Sequence, residues 1–333
     1  MTSLAELVRE HSTLDRDDTD HLHRLTAEWA FLADLCFADL LLYVRSGGGK
    51  WLIVDQVRPA TNQTMYVTDY IGTWADGDEA ELIEAAATSG QRVEGAIEVD
   101  GGGDEVNHAR MLAIPVRNNG EVVAVLSKEW KVRAGRPLGE LERNYSFIFE
   151  EFAQMIEVGM FPFPGRVADS SAAPRVGDGV LTLDSSGTVT YVSPNANSAL
   201  HRVGIQANPV GMRLAELGFH DGPVRQAFER REPIVEEFEQ GAADTLPCRC
   251  VPLVSTTDSG TQDAGGLLLV RDVTEPRKRD RLLLSKYATI REIHHRVKNN
   301  LQTISSLLRL QSRRLTNLEA KAAVQESVRR IRT

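Results

Sequence analysis

The chain has 333 residues, a formal net charge of −9, and 42% hydrophobic and 26% charged residues, enough for two to three domains that each bury a core. No apolar run nears the ~20 residues a bilayer span needs, and the N-terminus lacks the basic start and apolar block of a secretory signal. Cys36, Cys248 and Cys250 are too few for a disulfide framework. The expectation is a cytosolic protein with no membrane span.

In chain order, Leu4–His11 reads as a helix behind the N-cap Ser3. The stretch from Asp18 to Arg45 carries a long apolar stripe and reads as helix up to the break at Gly47-Gly48-Gly49. Strand-like runs follow: WLIVDQV, TMYVTDYIG, MLAIPVR and EVVAVLSKEW. The last two flank Asn118-Asn119-Gly120, whose Asn-Gly pair is the strongest short hairpin signal in the chain. Gly101-Gly102-Gly103-Asp104 reads as a turn and not a phosphate cradle, because no Walker or dinucleotide context precedes it. An amphipathic helix, LGELERNYSFIFEEFAQMIEVG, closes the unit. The order of helix, hairpin-joined strands and helix, with IPVRNNGEVVAVLS, resembles a GAF-type sensory domain over residues 1–155. The resemblance implies a small-ligand pocket roofed by loops. Tyr66, Tyr70, Trp74 and Trp130 are candidates to line it, against the commoner fate of strand aromatics as core. The ligand is unknown from sequence.

Residues 156–175 read as a linker, with Phe161-Pro162-Phe163-Pro164-Gly165 at its start. Over residues 176–275, two short β runs meet at a Ser-Ser-Gly turn and are followed by a cap-rich helix start. The segment leaves through GGLLLVRDVTE. With YVSPNA, this resembles a PAS domain, and no residue in it declares a bound cofactor. Cys248 and Cys250 alternate on one strand and so point to one face; they read as small buried residues and not as a metal or redox site. His21-x-His23 beside Asp20 reads as a solvated helix turn. No metal site is expected. The fold class is therefore α+β: two antiparallel-sheet sensor domains followed by helices.

From Pro276 to Thr333 the chain is basic, with 15 Lys/Arg against 4 Asp/Glu. ATP or an acidic partner fits that charge better than direct nucleic-acid binding. Ile290, His294, Val297, Leu301, Ile304, Leu308, Gln311, Leu315 and Leu318 follow four- and three-residue steps, the edge of a coiled coil or helical hairpin. His294 falls on that edge, and His295, ~100° further round, faces outward. One isolated hairpin leaves the edge uncovered, so pairing of two chains into a four-helix bundle is expected over residues 276–333.

The run EIHHRVKNNLQTISSLLRLQ resembles the phosphoacceptor box of sensor histidine kinases, in the subfamily whose box reads HHRVKNNLQ. Only His295 has Asn299 and Leu301 at the spacing of that box, so the resemblance and the helical wheel choose the same residue. A nucleophilic imidazole must be neutral, exposed and oriented through its other nitrogen. Arg296 stands where many such kinases carry an acid; Glu292 is the nearest carboxylate on the same face and a candidate to orient His295. Asn299 is a candidate to position ATP or water. The GAF, PAS and HHRVKNNLQ order resembles the PdtaS-type cytosolic sensor kinases of actinobacteria, over essentially the whole chain.

The resemblance implies a homodimer that autophosphorylates with ATP and Mg2+ bound by a further C-terminal domain. It also implies transfer to an aspartate of a response regulator whose output is an RNA-binding antiterminator. No DxGxG lid motif occurs before Thr333. This chain is thus expected to be the sensory and phosphoacceptor part, inactive alone. The alternative is a non-enzymatic dimeric ligand sensor whose helix docks a partner protein.

Overall fold

The computed structural model describes residues 3–66, 68–100, 106–131, 138–164, 173–240, 244–257, 260–273 and 300–310, with the single positions 291, 296, 322 and 326. The chain divides into two compact units, Met1–Asp272 and Val273–Thr333. The first holds two five-stranded antiparallel sheets with helices, an α+β architecture.

Helix α1 (Leu4–His11) is held by a capping box in which Ser3 and Glu6 satisfy each other's backbone N–H. Helix α2 (Arg16–Cys36) starts on a second box, Asp15 with Asp18, and stops at Phe37 in the left-handed region, φ 53°. The strands β1 (Asp39–Arg45), β2 (Trp51–Val57), β3 (Val93–Asp100), β4 (Val106–Asn118) and β5 (Glu121–Lys131) form the first sheet in the order β2-β1-β5-β4-β3. Helix α3 (Gly77–Ser89) lies on one face; α2 and α4 (Glu140–Glu157) lie on the other.

The stretch Asp39–Arg45, expected to continue the helix, is strand. Its alternation explains the error. Leu40, Leu42 and Val44 pack into the core under α2 and α4, while Leu41 and Tyr43 enter the core under α3. A strand covered on both faces is apolar without a break, and that run has the same look as a buried helix. The run TMYVTDYIG is likewise not a regular strand. It is a loop that covers the exposed edge of β2, where Gly72 donates to the Ile53 carbonyl at 2.8 Å and Ile53 to the Thr73 carbonyl at 2.9 Å. The Asn-Gly hairpin forms as expected between β4 and β5: Asn118 faces Glu121, and the turn residues Asn119 and Gly120 take φ 50° and 89°. Two successive positive φ angles match the twist of the strands they join.

The second sheet repeats the strand order of the first. Strands β6 (Val180–Leu183), β7 (Val189–Val192), β8 (Ile234–Gln240), β9 (Asp244–Thr257) and β10 (Gly260–Val270) run β7-β6-β10-β9-β8. Helix α5 (Pro194–Arg202) is capped by the Ser193 hydroxyl, and α6 (Gly222–Arg230) contributes to the same core. Side-chain parity divides this sheet too. Leu268, Val270, Cys248 and Cys250 face α5 and α6, whereas Leu267, Leu269, Val251 and Leu253 join the core of the first sheet's helices. One layer, α2 with α4, is therefore packed by both sheets. Phe161 and Phe163, at the start of the segment read as linker, are buried in that shared core, with Phe161 edge-on to Phe152 and to Phe31.

Candidate functional site

Glu292, His294, His295 and Asn299 lie outside the described residues. Around them Arg291, Arg296 and Asn300 are helical and exposed, and 300–310 is an unbroken helix. Leu301, Ile304, Leu307 and Leu310 are exposed on it at 38%, 45%, 56% and 57%. Leu301 and Ile304 belong to the predicted apolar edge and are exposed, Leu308 of the same edge is half-buried, and Leu307 and Leu310 lie off it.

A second concentration of chemistry lies inside the first sheet and was not anticipated. Glu129 on β5 is fully buried, and its carboxylate accepts from the Ser127 hydroxyl at 2.6 Å, from the Tyr43 hydroxyl at 3.2 Å and from Tyr66. The Tyr43 hydroxyl also meets Glu79 of α3. One phenol has one proton, so it can donate to only one of two carboxylates; the other contact needs a proton on a carboxyl. Burial, reinforced by the negative field of Glu79, pushes Glu129 up to about 7. Burial also raises Glu79 above the usual carboxylate range. The signal was present in the sequence as a charged residue at an inward position of EVVAVLSKEW, in phase with Val125 and Ser127.

Of the four aromatics that are candidates to line a pocket, Tyr66 and Tyr70 pack against each other and Trp74 and Trp130 lie elsewhere. Tyr66 is tied to Glu129, Tyr70 packs edge-on against Tyr66 at 5.0 Å, and Trp74 is 43% exposed against His11. Trp130 alone of the four lines a cavity of about 620 Å³ at the end of the β1–β5 pair.

Cys248 and Cys250 are buried on one face of β9 as the alternation implied, and burial raises both thiols, Cys250 up to about 12. Such thiols are inert as nucleophiles. His21 departs from its reading as a solvated residue: it is 4% exposed, its Nε2 has no hydrogen-bond partner, and burial takes it down to about 4. No group of three His, Cys, Asp or Glu that could hold a metal occurs among the described residues. Among the same residues no helix is long and apolar enough to cross a membrane.

Two family descriptions match: the GAF domain of histidine kinase PdtaS over residues 4–148, and a histidine kinase family over residues 292–333. The sensor histidine kinase PdtaS of Mycolicibacterium smegmatis is 39% identical over 345 aligned positions, covering 99% of this chain and 68% of that protein. The chain belongs to the PdtaS sensor histidine kinases. PdtaS of Mycobacterium tuberculosis is 40% identical over 346 positions with the same coverage. A solved structure of the sensor region of a sensor histidine kinase, 32% identical, covers 83% of this chain and all of its own, with a TM-score of 0.68. The PdtaS assignment and the α+β fold expected from sequence are thus in agreement, and with them the reading of a two-component GAF sensor kinase.

Proposed function

We propose that residues 276–333 carry the phosphoacceptor helices of this PdtaS relative and that His295 is the residue phosphorylated. The unbroken EIHHRVKNNLQTISSLLRLQ run supports this reading most directly, because it offers one histidine with Asn299 and Leu301 in register. In the proposed step a neutral ring nitrogen of His295 attacks the γ-phosphorus of ATP. An N–P bond forms, the bond to the β–γ bridging oxygen breaks, and ADP leaves with Mg2+ screening its charge. Glu292 orients the imidazole through its second nitrogen, and Asn299 positions the nucleotide or the water of a later hydrolysis. The phosphoryl group then passes to an aspartate of a response regulator, with an RNA-binding antiterminator as output. Two chains pair through the exposed apolar edge that Leu301 and Ile304 present, in the cytosol.

Residues 1–155 are proposed as the GAF-like sensor and 176–275 as a PAS-like sensor, joined through 156–175. The second sheet's strand order, repeated from the first, supports this. Ligand occupancy shifts the balance between helix arrangements that expose or hide His295.

The test is phosphorylation in trans. The chain is incubated with MgATP and the intact ATP-binding domain of a PdtaS kinase, and acid-labile label is followed. His295→Gln abolishes labelling and His294→Gln retains it. Label that survives His295→Gln but not His294→Gln overturns the assignment. A chain that takes no label at all supports the non-enzymatic docking alternative.

A further inference from the structure

The cavity at the end of the β1–β5 pair has a feature that the phosphotransfer reading does not use. Its wall contains carboxylates and ammonium groups, and only the carboxylates are committed. Asp39 accepts from the Thr64 hydroxyl at 2.6 Å and from the Met65 N–H at 2.7 Å. Glu129 accepts from the Ser127 and Tyr66 hydroxyls and meets that of Tyr43, and Glu142 caps α4 by accepting from the Gly139 N–H at 2.7 Å. Lys128 and Lys131, which line the same cavity, have no carboxylate within ion-pair distance among the described residues. The Lys128 ammonium instead stands 5.0 Å from the Trp130 ring centre and 4.7 Å from that of Phe149.

Two aromatic faces offset only part of the cost of holding an ammonium partly out of water. An anion beside Lys128 would supply the charge-assisted hydrogen bonds the rings cannot. Size then separates ligand classes. At about 620 Å³ the cavity far exceeds an inorganic anion and falls in the range of organic-ligand pockets. Phe37, Trp130, Leu138 and Leu141 give the wall its apolar portion.

We infer that this cavity binds a small organic anion with a flat apolar body, its charged group at Lys128 and Lys131 and its body against Trp130 and Leu141. Such a ligand bridges the end of the sheet and the first turns of α4, which also packs against the second sheet.

The full chain is titrated with 2-naphthoate, a flat aromatic carboxylate, and with 2-naphthylmethanol, its uncharged counterpart, by calorimetry and tryptophan fluorescence. Saturable binding of one naphthoate per chain is expected, with the alcohol at least tenfold weaker. Lys128→Met weakens naphthoate at least tenfold, and Lys131→Met weakens it less. Thermal melting of each variant reports that it is folded, and the carboxylate-to-alcohol comparison on the unaltered chain needs no variant. The inference is overturned by an absence of saturable binding, by equal affinity for acid and alcohol, or by unchanged affinity in folded Lys128→Met. It is overturned too if inorganic phosphate binds as tightly as naphthoate, since the apolar wall then contributes nothing. ATP takes no part, so this result and the phosphotransfer result stand apart.

Discussion

The Arg249 guanidinium on β9 of the second sheet pairs with the Glu28 carboxylate on α2 of the first, 221 positions away in the chain, and both residues are buried. The guanidinium also lies over the Phe31 ring, 5.6 Å from its centre. A charged pair inside a hydrophobic junction constrains how the two sheets meet, because any displacement that separates the charges leaves each unpaired in a low dielectric.

Removing one partner of that pair should cost about 3–5 kcal/mol of unfolding free energy, the magnitude for an orphaned buried charge. Denaturant unfolding of Arg249→Met or Glu28→Gln checks this. The double replacement Glu28→Met with Arg249→Met should cost less than either single change, because no bare charge remains. Single variants that lose under about 1 kcal/mol would show that water reaches the pair.

Glu129 makes stability depend on pH with a definite sign. Its folded value of about 7 lies above the ordinary 4.5, so the folded chain holds a proton that the unfolded chain releases. Its contribution is complete below about pH 4.5 and declines as pH rises toward 7. His21, depressed from 6.5 to about 4, acts in the opposite direction over an overlapping range, since acid favours the unfolded chain there. The comparison that isolates Glu129 is the melting temperature of the wild type minus that of Glu129→Gln. This difference should fall between pH 5 and pH 7.5. A flat difference would mean that Glu129 is ionised throughout.

Gly265 sits at the bulge of β10 with φ 138°, and a Cβ there would overlap the Leu183 carbonyl oxygen. Backbone on a neighbouring strand cannot move aside as a side chain can. Gly265→Ala should therefore destabilise the chain by roughly 2–4 kcal/mol, among the larger effects of a single added methyl. Gly120→Ala, at φ 89° with open space around its Cβ, should cost only about 1–2 kcal/mol of backbone strain. Equal melting temperatures for the two variants would contradict the difference in surroundings.

Cys248 and Cys250 should resist a thiol reagent in the native chain and react fully in denaturant, because burial both blocks access and raises their pKa. Mass spectrometry after timed alkylation reads the two sites separately. Rapid native labelling of either one would show that β9 opens.

Local chemistry wrote much of this protein directly into its sequence. Ser3 with Glu6 starts a helix and Asn119-Gly120 turns a hairpin, while the HHRVKNNLQ box assigns the family through residues close in the chain. Interactions within a few residues leave a readable pattern because the covalent chain fixes their spacing. Asp39–Arg45 shows where that reading stops: an unbroken apolar run suits helix or strand, and only covering layers on both faces made it a strand. The same holds for Glu129, Arg249 and the Lys128 cavity. Each is defined by partners that folding brings from distant parts of the chain, and the desolvation that sets their chemistry exists only once those partners have closed around them.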